Sequence, residues 1–305
     1  MLCVENICFG YANNRTLSAI SLEVKRGEYL AVVGESGSGK STLLKLIYGE
    51  YDVDSGSITW DQNAILGPKD KLVVGHDFMK YVAQEFDLMP YTSVAENIGT
   101  HLSNFYPKEK EKRIQELLAV VELEDYHSTK VKHLSGGQKQ RVALAKALAK
   151  QPEILLLDEP FSHIDNFKKQ ALRKNLFHFL KSKHIACIVA THDKNDVLSF
   201  ADQMLVIHNG KTFLEGSTKD LYKNPKFPLV AAFFSEYSLI EGDIYYAHQI
   251  KISEKGTIKA QVKHCYFKGT HFMIEAEFGA EKIFFIHPSS IKINEEVLLW
   301  AKKDV

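Results

Sequence analysis

An α/β core with a largely parallel sheet, followed by a small all-β domain, is the fold class this sequence predicts. Three observations point to it. Short apolar runs at 29–33, 154–157 and 185–190 alternate with stretches of helical periodicity. The first run leads into a glycine-rich loop and a helical pattern. Beyond Ile240 the apolar period drops to two.

The elements follow in order. Residues 1–33 alternate short β-like runs with turns, and Gly27 supplies the turn between 20–24 and 29–33. Over 41–48, Leu43, Leu44, Leu46 and Ile47 mark the buried face of a helix. Ile114, Leu117, Leu118 and Val121 give 107–121 an amphipathic helical pattern. A helix over 138–150 is ended by Pro152. The continuous run at 154–157 is that of a parallel strand covered on both faces. Residues 166–181 read as a helix and 185–190 as a second buried strand. The runs at 203–207 and 211–214 flank His208, Asn209 and Gly210, a hairpin signal. Texture changes near 223–228. Ile258, Ala260 and Val262 then alternate with polar residues, as do Ile274, Ala276 and Phe278, and 297–300 adds a last short strand. This tail is expected to be a small, partly closed, OB-like barrel. The expected division is 1–235 and 236–305.

Composition narrows the function classes. Of 305 residues, 45% are hydrophobic and 25% charged, as in ordinary globular proteins. Lys+Arg and Asp+Glu each total 38, so no overall field draws the chain to nucleic acid or anionic lipid. Cys3, Cys8, Cys187 and Cys265 form no C-x-x-C pair and are expected to be reduced core residues. The opening residues lack a secretory pattern, and no apolar run approaches the ~20 residues a membrane helix needs. A cytoplasmic location is expected, with any membrane role reached through a partner.

Gly34, Glu35, Ser36, Gly37, Ser38, Gly39, Lys40 and Ser41 satisfy G-x-x-x-x-G-K-[ST]. Glycines let such a loop curl so that backbone N–H groups converge on phosphate oxygens. The helix that follows, through Thr42, adds its positive end. Lys40 is placed to bridge β- and γ-phosphates, and the Ser41 hydroxyl to bind Mg²⁺. Alone, the motif says only that a nucleoside triphosphate binds.

Asp158 and Glu159 stand at the exit of a buried strand, where ligands of open α/β sheets bind. Asp158 suits Mg²⁺ held through water, and Glu159 suits polarising an attacking water. An isolated acidic pair would read as a simple turn; beside a phosphate loop it reads as catalytic. Ser135 can cap the helix that begins near Gly136, Gly137 and Gln138, a second anion-ready helix start. One nucleotide on a monomer needs only one. Two head-to-tail copies, each covering the other's γ-phosphate, use both.

With Leu134-Ser135-Gly136-Gly137-Gln138 in place, residues 2–221 resemble the nucleotide-binding subunits of ABC transporters. The resemblance implies an α/β P-loop NTPase core with an N-terminal antiparallel β subdomain and a helical subdomain. It implies ATP and Mg²⁺, a homodimer, separate transmembrane permease subunits and a solute-binding protein, and no nucleic acid. The chain would lie at the inner face of the cell membrane through the permease. Tyr11 matches the aromatic that stacks on adenine, Gln84 the glutamine that senses Mg²⁺ and water and faces the membrane subunits, and His192 the switch histidine. Lys40, Gln84, Glu159 and His192 form the implied catalytic set, and Ser41, Gln84 and Asp158 the metal set. Ser162, His163, Ile164 and Asp165 match a loop that crosses the dimer interface. His163 is bulky for that loop and either faces solvent or makes dimer closure sensitive to pH. Residues 84–96 offer Phe86, Leu88, Met89 and Tyr91 as an apolar seat for a partner helix, or as local core. The β-tail resembles the accessory domain of importer ATPases of the maltose, spermidine and ferric-iron type. The rival reading is a soluble ABC ATPase of DNA repair or translation.

Overall fold

In the computed structural model, which describes residues 1–12 and 14–303, β1 (Leu2–Tyr11) pairs antiparallel with β2 (Asn14–Val24). Strand β3 (Tyr29–Val33) runs into the glycine loop and helix α1 (Lys40–Tyr48). Strands β4 (Ser55–Trp60) and β5 (Asn63–Ala64) complete an antiparallel sheet of order β2-β1-β4-β5. There follow β6 (Met79–Val82), α2 (Val94–Gly99), α3 (Pro107–Val120) and α4 (Gly136–Leu148). Next come β7 (Ile154–Asp158), α5 (Asn166–Ser182), β8 (Ala186–Ala190), α6 (Lys194–Phe200), β9 (Gln203–His208) and β10 (Lys211–Ser217). The central sheet has the order β10-β9-β3-β8-β7-β6 and is parallel except for β10.

A strand sends alternate side chains to opposite faces, which explains the unbroken apolar runs. Leu155, Leu157, Cys187 and Val189 pack with Ile98, Leu117, Leu144 and Leu176 of the helices on one side. Ile154, Leu156, Ala186 and Ile188 pack with Leu43 and Ile47 of α1 and with Leu2 and Ile7 of β1 on the other. The hairpin forms as expected: Asn209 and Gly210 take φ of 49° and 71°, the pattern of a primed turn, and Lys211 pairs with His208.

The chain divides into two compact units, Met1–Thr218 and Lys219–Val305. The division falls at α7 (Thr218–Lys223), ahead of the expected 235/236 boundary. Helices α7 and α8 (Pro228–Phe234) go with the tail because Tyr222 stacks on Tyr246 at 5.0 Å and meets Phe234 edge-on at 5.3 Å. The second unit continues with β11 (Tyr237–Ile240), β12 (Asp243–Tyr246), β13 (Ile250–Ile252), β14 (Ile258–Phe267), β15 (Phe272–Phe278), β16 (Glu281–His287) and β17 (Glu296–Ala301). Strands β11 and β12 pair as a hairpin, and the rest form an antiparallel sheet of order β13-β17-β14-β15-β16. Its edges β13 and β16 approach within 8 Å, so the sheet curls into a half-barrel. Ile258, Ala260, Val262, Ile274 and Ala276 point inward as their alternation required, whereas Phe278, at the end of β15, is exposed. All four cysteines are free, and of them only Cys187 is fully buried. Among the described residues no helix is long and apolar enough to cross a membrane.

Candidate functional site

Parallel pairing decides where the chemistry gathers. Val32 of β3 and Asp158 of β7 both lie opposite Ala190 of β8, so the segments that follow these strands emerge side by side. They are the glycine loop, Glu159, and Thr191 with His192.

The loop is curled by Ser38 N–H donating to the Glu35 carbonyl at 3.2 Å. Lys40 Nζ donates to the Gly34 and Glu35 carbonyls, both at 2.9 Å. Gly39 has φ of 105°, and a Cβ there would stand 2.5 Å from Leu17 Cδ2, so glycine is required. Helix α1 has neither a side-chain cap nor an acid in its first turn. Its leading N–H groups and dipole are therefore available to an anion. Burial pushes the Lys40 ammonium below the ordinary lysine range, against the pull of Glu159 and Asp158. The buried Ser38 hydroxyl has no partner within the protein. Clustered N–H groups, a buried cation and an orphaned hydroxyl fit a polyphosphate.

Tyr11 ends β1 with its hydroxyl 3.4 Å from Thr42 Oγ1 and its ring edge-on to Phe9 (4.9 Å) and Tyr51 (5.5 Å). At 43% exposure it is not core, and it presents a flat apolar surface beside the loop. Asp158 is buried, which pushes its carboxyl up, while hydrogen bonds from Ser41 and Tyr81 and the charge of Lys40 pull it down. The Tyr81 hydroxyl donates to Asp158 Oδ2 at 3.2 Å. A hydroxyl and a carboxylate held together are the oxygen donors a hard divalent cation takes. Gln84 lies exposed two residues past β6.

Glu159 Oε1 and His192 Nδ1 are 3.1 Å apart. Glu159 has φ of 47°, a strained value for a residue other than glycine, and its N–H donates to the Ala190 carbonyl at 2.9 Å. Below His192 lies a buried charge cluster. Arg173 of α5 pairs with Asp193 and, at 2.5 Å, with Asp196. Thr191 Oγ1 donates to Asp196 Oδ2 at 2.6 Å and accepts from Asp193 N–H at 3.0 Å. Both neighbours of His192 are thus fixed.

Ser135 caps α4 as expected. Gln138 N–H donates to Ser135 Oγ at 3.3 Å, and Ser135 N–H to Gln138 Oε1 at 2.8 Å. Around Gly136 a Cβ would meet nothing within 4 Å. This helix start opens on a pocket of about 220 Å³ lined by Ser135, Gly137, Gln138, Arg141, Ile164, Asp165 and Lys168. None of these belongs to the glycine loop or its helix. The structure therefore brings Tyr11, the loop from Gly34 to Thr42, Asp158, Glu159 and His192 together, and leaves Ser135–Gln138 on a pocket that none of them lines.

The segment after Gln84 is less open than expected. Phe86 and Leu88 are half-buried, Leu88 packing on the helical core, while Met89 and Tyr91 are exposed. Asn97 of α2 pins it, donating from Nδ2 to the Met89 carbonyl at 3.0 Å and accepting from Met89 N–H at 2.8 Å. Ser93 and Glu96 form a capping box for α2, an S-x-x-E signal that sequence reading passed over. Tyr81, Gln140, Arg173 and Asp196, also passed over, are tied to the site by contacts no local pattern announces.

A family model described as ABC transporter matches residues 17–162. The chain is 37% identical over 245 residues to "Fe(3+) ions import ATP-binding protein FbpC 2" of Pectobacterium atrosepticum, covering 80% of this chain and 70% of that protein. It is 35% identical over 242 residues to "Sulfate/thiosulfate import ATP-binding protein CysA" of Synechocystis, covering 78% and 67%. A solved dimeric ATP-binding cassette, in a post-hydrolysis state bound to ADP and Pi, aligns with a TM-score of 0.61 at 27% identity, over 72% of this chain and 99% of that one.

Proposed function

Because the chain belongs to the ABC transporter family of ATP-binding subunits, we propose that two copies close head to tail on two ATP molecules to drive solute import through separate membrane subunits. The chain is an ATPase. The observation that carries the dimer reading is the separation within one copy: the phosphate loop, Glu159 and His192 gather at the strand ends, while the pocket at the start of α4 is lined by none of them. A second copy, rotated by a two-fold axis, places its Ser135–Gly137 N–H groups over the γ-phosphate and completes the site. The dimeric state of the similar solved cassette supports a two-copy assembly.

Within the closed site Tyr11 stacks on adenine and the Gly34–Thr42 backbone cradles the phosphates. Glu159 orients water for in-line attack and takes its proton. Lys40, His192 and the partner's helix start face the charge that spreads onto the γ-phosphoryl oxygens. Ser41, Asp158 and Gln84 would hold Mg²⁺, which when bound neutralises charge between the β- and γ-phosphates. Import, rather than export, is supported by the names of both relatives, and neither name supports a DNA-repair or translation role. A permease helix would seat beside Met89 and Tyr91, near a pocket of about 360 Å³ that includes Ala83, Phe86 and Lys146. That contact holds the chain at the cytoplasmic face of the membrane, with a solute-binding protein delivering cargo from the other side. The second unit serves as an accessory regulatory domain.

Glu159→Gln tests the catalytic assignment. Turnover should fall by about 10²–10⁴, the usual share of a positioned general base, while ATP affinity is retained. Near-normal hydrolysis by this variant would assign the base elsewhere.

A further inference from the structure

Residues 159–164 form one tight turn after β7. Glu159 N–H is held by the Ala190 carbonyl at 2.9 Å, Ser162 N–H donates to the Glu159 carbonyl at 3.2 Å, and Ile164 N–H to the Phe161 carbonyl at 3.2 Å. Gln140 of α4, only 1% exposed, spans this turn. Its Nε2 donates to the Glu159 carbonyl at 3.1 Å, and its Oε1 accepts from His163 N–H at 3.2 Å. Beside it, a Cβ on Gly137 would stand 2.7 Å from the His163 carbonyl, so the first turn of α4 rests directly on the same backbone.

We propose that Gln140 is a positioning residue for hydrolysis, clamping Glu159 in its reactive conformation and tying that conformation to the placement of α4. This rests on Glu159 being the general base. With φ of 47°, Glu159 occupies a backbone region that L-residues hold only when their surroundings impose it. The Ala190 and Gln140 bonds impose it from both sides of the residue. Relaxation would swing the carboxylate away from His192, now 3.1 Å distant, and from the line of attack. Gln140 lies on the same helix whose start faces the partner's nucleotide. Movement of α4 as the dimer closes therefore reaches Glu159 through one amide and needs no relay through the nucleotide.

The competing role is purely structural, an amide that satisfies two buried backbone groups. Two variants separate the roles. Gln140→Leu keeps roughly the same volume and removes both bonds; Gln140→Glu keeps the acceptor for His163 N–H and removes the donor to Glu159. Steady-state hydrolysis and binding of a fluorescent ATP analogue are measured on the full chain, below each variant's unfolding midpoint. Both variants should lose about tenfold to a hundredfold in kcat, the scale of a misplaced catalytic group. KM and analogue affinity should stay within about twofold, the signature of an interaction used only in the transition state. Wild-type kcat, or kcat and affinity falling together, overturns the proposal. Should Gln140→Leu not fold, Gln140→Glu is judged by the same criterion. Glu159→Gln is assayed alongside: full turnover there removes both the general-base reading and this one. An inactive Glu159→Gln beside Gln140 variants of normal kcat removes only this one.

Discussion

The two halves of the site, the strand-end cluster and the start of α4, are built on opposite terms. At the strand ends charge answers charge: Lys40 lies near Asp158 and Glu159, Glu159 touches His192, and Arg173 binds Asp193 and Asp196. At the start of α4 the capping box consumes the Ser135 hydroxyl, and the space beside Gly136 is open. The first half is pre-organised within one chain, as catalysis demands. On the proposed reading, the second is a docking end whose partner must arrive. Substitutions in the first half should therefore act on the folded monomer, and those in the second only on what two copies do together.

The largest stability effect belongs to the first half. Arg173→Ala leaves the buried Asp196 carboxylate without its cation, beside the half-buried Asp193, so chemical denaturation should show a loss of about 3–5 kcal/mol, the range for breaking a buried pair. A loss near zero would mean the cluster is open to water. Gly136→Ala tests the second half. With nothing near the added methyl, the unfolding midpoint should correspond to a change within about 0.5 kcal/mol, as for a neutral surface site. Hydrolysis should nevertheless drop at least about tenfold if this N–H group must approach a phosphate. Unchanged turnover would break the contrast between the halves. Tyr11→Ala should weaken ATP binding by about tenfold, in keeping with ~1–3 kcal/mol for stacking a base on an aromatic ring, as read by titration. The smallest effect concerns His163, whose ring meets Phe86 edge-on at 5.7 Å and whose Nδ1 lies 3.1 Å from Ser162 Oγ. His163→Ala removes both contacts and should change hydrolysis by no more than about twofold, the scale of ~0.5 kcal/mol for a surface substitution. A drop of more than about tenfold would give the ring a part in hydrolysis.

Much of this was legible in the chain itself, for identifiable reasons. The glycine loop, the acid pair after 154–157 and the capped glycines at Ser135–Gln138 are local motifs whose geometry depends on neighbouring residues alone. The half-barrel was legible from alternation at Ile258, Ala260 and Val262, though Phe278 shows that alternation stops informing where a strand ends. Gln140, Tyr81 and Arg173 were not legible. Each reaches a site residue across a wide sequence gap, Tyr81 to Asp158 and Gln140 to Glu159, and only the packing of α4, α5 and β6 creates those contacts. For Phe86 and Leu88 the sequence left partner seat and local core both open, because an apolar side chain in a loop has no period to declare its face; both are half-buried.

In the proposed mechanism, hydrolysis depends on completion of each site by a second copy. Its most direct measurement is the molar mass of the Glu159→Gln chain in solution, by light scattering, with ATP, with ADP and without nucleotide. A dimer with ATP alone, abolished by adding Gly136→Ala, is the predicted result. A monomer at saturating ATP, with binding independently confirmed, would contradict it.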